Sequence, residues 1–87
     1  MTSKGLIDPL LKLIRTKVIY KDGTLYCGYF KAFDDHESLK NEGKYRLIPE
    51  DKALAIKKEY AKTKKLNKSY SIVINLQQVE DIELLRN

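Results

Sequence analysis

The sequence predicts one small domain that is mainly β with helices, and three observations lead to this class. Segments that alternate apolar and polar residues flank an Asp-Gly pair at residues 22–23. The segment 49–66 is rich in strong helix formers. Two further alternating segments lie within residues 70–85. A chain of 87 residues has room for one modest core, so residues 1–87 are expected to form a single domain.

The first predicted element is an amphipathic helix over residues 8–16. Asp8 can cap free backbone amides, and Pro9 suits the first helical position because a missing N–H has no helical partner to lose there. The apolar residues that would share one stripe are Leu10, Leu13 and Ile14. Such a stripe would cover one open end of the strands that follow.

Strands one to three are expected within residues 17–48. Asp22-Gly23 can supply the positive φ values that a two-residue hairpin turn needs. In the second strand bulky side chains occupy both sets of alternating positions, so both of its faces carry bulk. A glycine within a strand commonly marks a sharp bend or a close approach of two backbones, and Gly28 is interpreted as a bend. A polar connection at 37–44 then leads into a third strand, which ends at Pro49 because proline cannot continue a central ladder.

The segment 49–66 predicts a helix inserted between strands three and four. Pro49 and two acidic residues open it, and lysines close it, which matches the helix dipole. Strands four and five are expected within residues 70–85, joined by a short connection.

Charge and composition limit the classes of partner. The formal net charge of +5 favours an anionic partner such as nucleic acid. Cys27 is the only cysteine and cannot form an internal disulfide, while no apolar run reaches membrane-spanning length. We therefore expect an intracellular, cytoplasmic protein without a membrane partner, or a nuclear one if the source is eukaryotic.

The spacing within residues 22–39 resembles the first signature motif of the Sm and LSm proteins, small barrels that form rings around single-stranded RNA. The matching positions are Gly23, Tyr26, Gly28, Phe30, Phe33 and the corner Asp34-Asp35-His36. The resemblance covers about residues 8–39 and 70–85. It implies a five-stranded bent barrel with an N-terminal helix, here with a helical insertion between strands three and four. It also implies rings of six or seven subunits.

The resemblance implies a base pocket built from this corner and from the turn between the last two strands. Asp34 and His36 match the family pattern Asp-x-His-x-Asn, and Ser38 stands in place of the asparagine. Asn75 replaces the arginine that contacts a uridine base, which removes a cation and a planar surface. RNA binding is therefore expected to be weak or altered in its uridine preference. The alternative is that Asp34 and His36 only order the loop and shape the subunit contact.

A dense run of lysines in the predicted helix 49–66 is a second candidate RNA-binding surface. Lys57, Lys58 and Lys62 can contact phosphates regardless of base sequence. The alternative is a solvated helix face.

The leading functional expectation is a ring-forming Sm-like scaffold that binds single-stranded RNA in ribonucleoprotein assembly or RNA processing. One alternative is an assembly or protein-interaction module of the same fold that has lost uridine recognition, and another is a basic DNA-binding small barrel. Enzyme function is not expected. The sequence has one histidine and one cysteine, and no recognisable nucleophile accompanies them. No cofactor or metal is expected. Homomeric and mixed rings fit the sequence equally well.

Overall fold

The computed structural model describes residues 9–85, and these form one five-stranded antiparallel sheet with helices, which confirms the mainly β class. The strands are β1 (Arg15–Tyr20), β2 (Leu25–Phe30), β3 (Lys44–Pro49), β4 (Ile72–Asn75) and β5 (Val79–Leu85). They lie in the order β4-β3-β2-β1-β5. The α-helices are α1 (His36–Asn41) and α2 (Ala53–Thr63), and short 3-10 turns occupy Glu50–Lys52, Lys68–Tyr70 and Leu76–Gln78. α2 lies between β3 and β4, inside the segment predicted to be helical.

The predicted N-terminal helix over residues 8–16 is wrong for residues 9–16, the part of it that the structure describes. Residues 9–12 form a turn, and β1 has begun by Arg15, which pairs with β5. A single turn is enough to bury Leu10 beside α2. The residues from Arg15 onward pair with β5 and therefore cannot continue as a helix. The predicted cap, Asp8, lies outside the described residues.

A four-residue loop, 21–24, joins β1 to β2 in place of the predicted two-residue turn. The Gly23 N–H donates to the Tyr20 carbonyl (2.9 Å), and the Tyr20 N–H donates to the Thr24 carbonyl (2.8 Å). Within this loop only Gly23 has a positive φ, of 91°. Asp22 instead accepts the Thr24 N–H at Oδ1 (2.9 Å). This side-chain bond stabilises the turn without a second left-handed residue.

Gly28, interpreted from the sequence as a bend, marks a close approach of β2 and β3. It pairs with Pro49 in the register of the two strands. A Cβ built on Gly28 would fall on the carbonyl group of Ile48. Only glycine leaves room for the two backbones at this point.

β3 contributes alternate side chains to two cores on opposite faces of the sheet. The helix-side core contains Leu10, Ile48, Ala53 and Ile56. The strand-side core contains Val18, Leu47 and Ile74. Tyr29 packs against the first core and Phe30 against the second. β2 therefore contributes side chains to both cores.

The sheet is strongly curved. Its outer strands, β4 and β5, are joined only by Leu76–Gln78. In a flat sheet the first and fifth strands would lie about 19 Å apart, farther than the ~14 Å that the chain can span from Asn75 to Val79. The Asn75 N–H also donates to the Tyr20 hydroxyl of β1 (3.1 Å), although β3 and β2 separate these strands in the sheet order. Curvature therefore brings the two edges of the sheet toward each other.

Candidate nucleic-acid interface

The corner after β2 contains a short helix, α1, where the sequence predicted a polar connection at 37–44. Asp35 occupies the N-cap position but makes no side-chain cap bond. Gly43, just beyond the helix, has a φ of 72°, and its N–H donates to the Lys40 carbonyl (3.0 Å). A left-handed glycine after a helix is a common way to satisfy its last carbonyl groups.

Arg46 of β3 holds the corner in place through the Asp35 carboxylate. Its Nε lies 3.1 Å from Oδ1 and 3.0 Å from Oδ2, and its Nη2 lies 2.8 Å from Oδ2. Its Nη1 donates to the Ser71 hydroxyl (3.0 Å), just ahead of β4. Hydrogen bonds from Arg46 lower the pKa of Asp35, and the carboxylate in turn raises the pKa of Arg46. One guanidinium therefore joins the corner, β3 and the start of the outer strand β4.

Asp34, a predicted RNA-binding residue, is directed toward the segment after α2. Its Oδ1 accepts a hydrogen bond from Lys68 Nζ (2.7 Å), and the same ammonium lies 4.0 Å from Asp35 Oδ2. The Asp34 and Lys68 side chains remain 80% and 43% exposed. An ion pair this exposed contributes little to stability and exchanges readily with water or a ligand.

The other predicted pocket residues, His36 and Asn75, lie near the start of β3. The His36 ring meets the Tyr45 ring edge to face, with centroids 5.5 Å apart. Asn75 pairs with Lys44 in the sheet, and its Oδ1 accepts the Gln77 N–H (3.1 Å), which caps the turn into β5. Consecutive residues of a strand point to opposite faces, so their neighbours Tyr45 and Lys44 place His36 and Asn75 on opposite sides of β3. The fourth of these residues, Ser38, is exposed on α1.

The predicted lysines lie on the other side of the sheet. α2 packs through Ala53 and Ile56 against Ile48, whereas His36 contacts Tyr45, and residues 45 and 48 point to opposite faces of β3. The lysines of α2 are therefore separated from the corner histidine by the sheet.

These lysines differ in exposure. Lys58 and Lys62 are exposed, as are Lys64 and Lys65 just beyond α2, and none of their side chains forms an ion pair with residues 9–85. Lys57 is half-buried. The basic face is defined here as Lys58, Lys62, Lys64 and Lys65.

Two exposed surfaces of the molecule carry opposite charge. The basic face lies on and beyond α2, and the outer strand β5 carries three exposed acids, Glu80, Asp81 and Glu83. Of these, Glu83 has its Oε1 3.7 Å from Nζ of Lys17 on the neighbouring strand β1. An anionic polymer would be attracted to the first surface and repelled by the second.

Two important contacts of the site were missed in the sequence. Arg46 and Lys68 bind acids that lie 11 and 34 positions away in the chain, so no local pattern identifies either pair. The signal that could have identified Arg46 is its position between Tyr45 and Leu47 in a strand, where a cation beside apolar residues needs a partner.

Within residues 9–85 no group of three or more His, Cys, Asp or Glu side chains is arranged to hold a metal ion. None of the helices in the same part of the chain has the length and apolar character needed to cross a membrane. Comparison of the chain with protein-family models, with curated proteins and with solved structures found no match.

Proposed function

We propose that the protein is an Sm-like scaffold whose copies pair edge to edge, in rings of six or seven, and bind single-stranded RNA through the basic face. The observation that carries the proposal is the pair of open edges. Within the described residues, β4 pairs only with β3, and β5 pairs only with β1. Unpaired edges of a curved sheet are templates for another strand.

The charges of the two edges favour contact between β4 of one copy and β5 of the next. An antiparallel pairing of two β5 strands would bring acids such as Asp81 and Glu83 against those of the partner, and like charges opposite each other are destabilising. β4, with the sequence Ile-Val-Ile-Asn, carries no charge. A contact between two different surfaces repeats from copy to copy and produces a ring when the rotation closes.

The basic face supports the RNA part of the proposal. Its lysines are exposed and are not neutralised by the acids of the described chain. Lysines that neutralise phosphates release counterions, which gives affinity without base selectivity. Asn75 meanwhile uses its side chain to cap a turn, so selectivity for uridine is expected to be weak.

The test is a salt titration of oligonucleotide binding. We expect the triple variant Lys58→Gln, Lys62→Gln, Lys65→Gln to bind single-stranded RNA more weakly for all base sequences. Its slope of log affinity against log salt should be smaller by about 2, because each lost phosphate contact removes about 0.7. The matched control changes three exposed lysines elsewhere, Lys12, Lys21 and Lys40, and should keep the slope. Equal effects of both triples would show that the basic face is not the binding surface.

A second candidate function is a protein-interaction module that has lost uridine recognition. The observation that favours it is the internal use of the corner: Asp35 binds Arg46, Asp34 binds Lys68, and His36 packs on Tyr45. Under this proposal the oligomer forms but binds no single-stranded RNA at low salt. Binding that weakens steeply with salt would exclude it.

A further inference from the structure

An open cavity of about 280 Å³ lies on the helix side of the molecule, apart from His36 and Asn75. It is lined by Ala32, Phe33, Asp34, Leu66 and Lys68. Drug-sized ligands occupy cavities of about 300–1,000 Å³, so this one suits a smaller ligand such as a single nucleobase.

The cavity combines apolar walls with one polar edge. Phe33 and Leu66 both pack against the helix-side core, which fixes an aromatic and an aliphatic side chain at the cavity. The Lys68 ammonium and the Asp34 carboxylate, 2.7 Å apart, place a hydrogen-bond donor directly beside acceptors. A flat, apolar ligand with donors and an acceptor along one edge would satisfy both parts.

Guanine matches this pattern best among the RNA bases. Its Watson–Crick edge carries the O6 acceptor next to two donors, N1–H and N2–H. A carboxylate accepts two parallel hydrogen bonds, and an ammonium donates to a carbonyl oxygen. Uracil offers only one such donor, and adenine and cytosine place an acceptor where the second donor is needed.

We infer that this cavity binds a guanine base of single-stranded RNA, with Asp34 accepting from N1–H and N2–H, Lys68 donating to O6 and Phe33 stacking on the ring. This inference rests on the proposed RNA-binding function and adds base selectivity to it. Because the Asp34–Lys68 ion pair is exposed, separating the two side chains to admit a base costs little free energy. The cavity lies on the same face of the sheet as α2.

The test compares three labelled pentanucleotides of equal charge: five adenosines, and the same chain with a central guanosine or a central inosine. Inosine keeps O6 and N1–H but lacks the N2 amine. We expect the wild-type protein to bind the guanosine chain about tenfold more tightly than the inosine chain, since one charge-assisted hydrogen bond is of that order. The backbone contribution cancels because the phosphates are identical.

Variants separate the roles of the cavity residues. Asp34→Asn should remove the preference for guanosine over inosine, while the matched control Glu37→Gln, in the same corner and with the same change of charge, should keep it. Lys68→Met should weaken binding of both chains and leave their ratio unchanged, because both bases carry O6. Phe33→Leu keeps an apolar side chain at the core and should weaken the guanosine chain about fivefold or more by removing the stacking surface.

The outcomes distinguish this inference from the proposed function. Salt-dependent binding with equal affinity for guanosine and inosine overturns the guanine site and leaves the scaffold proposal standing. A guanosine preference that Asp34→Asn retains also overturns it. Absence of binding of all three chains at low salt overturns both.

Discussion

At Gly28 the backbones of β2 and β3 pack directly against each other. The absent side chain lets β2 and β3 approach at a point where the Ile48 carbonyl would occupy the position of a Cβ. Neither strand can move away freely, because Gly28 also pairs with Thr16 of β1. A methyl group added at Gly28 would therefore force the backbone to move, because no change of side-chain rotamer could make room for it.

Gly28→Ala is expected to lower the free energy of unfolding by about 2–3 kcal/mol, the upper range for overpacking a buried site. Denaturant unfolding followed by circular dichroism measures this. As a control, Gly43→Asn places its Cβ in open space at a φ that asparagine tolerates, and should cost less than about 1 kcal/mol. A similar small loss for Gly28→Ala would mean that the two strands are farther apart than described.

The ionisation of Asp35 predicts how stability depends on pH. Hydrogen bonds from Arg46 lower the pKa of this carboxyl in the folded state, below the value of about 3.9 expected in the unfolded chain. The stabilisation is therefore present above pH ~4 and is lost as the pH falls through the folded pKa. Asp22, whose pKa is lowered by bonds to Thr24, adds a contribution of the same sign.

Thermal unfolding between about pH 6 and 2 tests the contribution of Asp35. The melting temperature of Asp35→Asn should fall less steeply with acid than that of the wild type, although the variant is less stable at neutral pH. Glu37→Gln, in an exposed part of α1, should keep the wild-type steepness. Identical pH profiles for all three proteins would contradict the Arg46 contact.

Among the elements, α2 ends in an unusual way. Its C-cap residue, Lys64, has a φ of 61° and a ψ of 20°, a left-handed conformation that glycine usually provides. The Lys64 N–H donates to the Tyr60 carbonyl (2.8 Å). This bond satisfies one of the last carbonyl groups of α2, but it holds a residue with a Cβ in a strained backbone conformation. The chain then turns back toward β4.

Lys64→Gly is expected to raise the free energy of unfolding by about 0.5–1 kcal/mol, because relief of the left-handed strain exceeds the added entropy of the unfolded chain. Lys62→Gly removes the same charge inside α2 and should lower stability by about 1 kcal/mol. Chemical denaturation of both variants measures the two effects. A loss of stability in both would show that the charge at position 64 matters more than its conformation.

The elements that could be predicted from the sequence are those with a long local pattern. Alternation identified the strands, and helix formers with charged ends identified α2, because these patterns extend over several residues. The segment 8–16 has helix signals, but its described part is governed by pairing of Arg15 with β5, which is a long-range contact. α1 was missed because its six residues are mostly polar, although Asp35 before it and Gly43 after it are ordinary boundary signals.

The candidate site was predictable only in part for the same reason. His36 and Asn75 were identified from a family spacing, but the structure places them beside consecutive residues of β3 that point to opposite faces. The partner of Asp34 was not predictable, since Lys68 lies 34 residues away. Phe33 matched the motif as an apolar residue, but its position beside a cavity depends on Leu66 and therefore on the path of the chain after α2.

For the whole molecule, the two open edges make assembly testable with single substitutions. Val73 on β4 and Leu84 on β5 are 41% and 59% exposed, so a lysine at either position leaves the cores intact and places a charge on an edge strand. We expect Val73→Lys and Leu84→Lys each to lower the mass measured by light scattering. Leu54→Lys, on α2 and 64% exposed, should keep the wild-type mass.

Mixing the two edge variants sharpens this test. Each variant keeps one intact edge, so pairing of β4 with β5 predicts that an equimolar mixture forms a dimer and nothing larger. A symmetric pairing of identical edges predicts no such dimer between the variants. A wild-type protein that stays monomeric at micromolar concentration would exclude the scaffold.

The alternation of β3 between two cores has a consequence for how this chain can change in length. Leu47 and Ile48 are both fully buried, on opposite faces of the sheet. Loss or gain of one residue within β3 would move each of them into the other core and would also redirect Arg46 away from Asp35. Insertions and deletions should therefore be excluded from β3 and be accepted in the exposed stretch 61–65. The spacing of β3 is a constraint on this protein that is independent of which apolar residues occupy it.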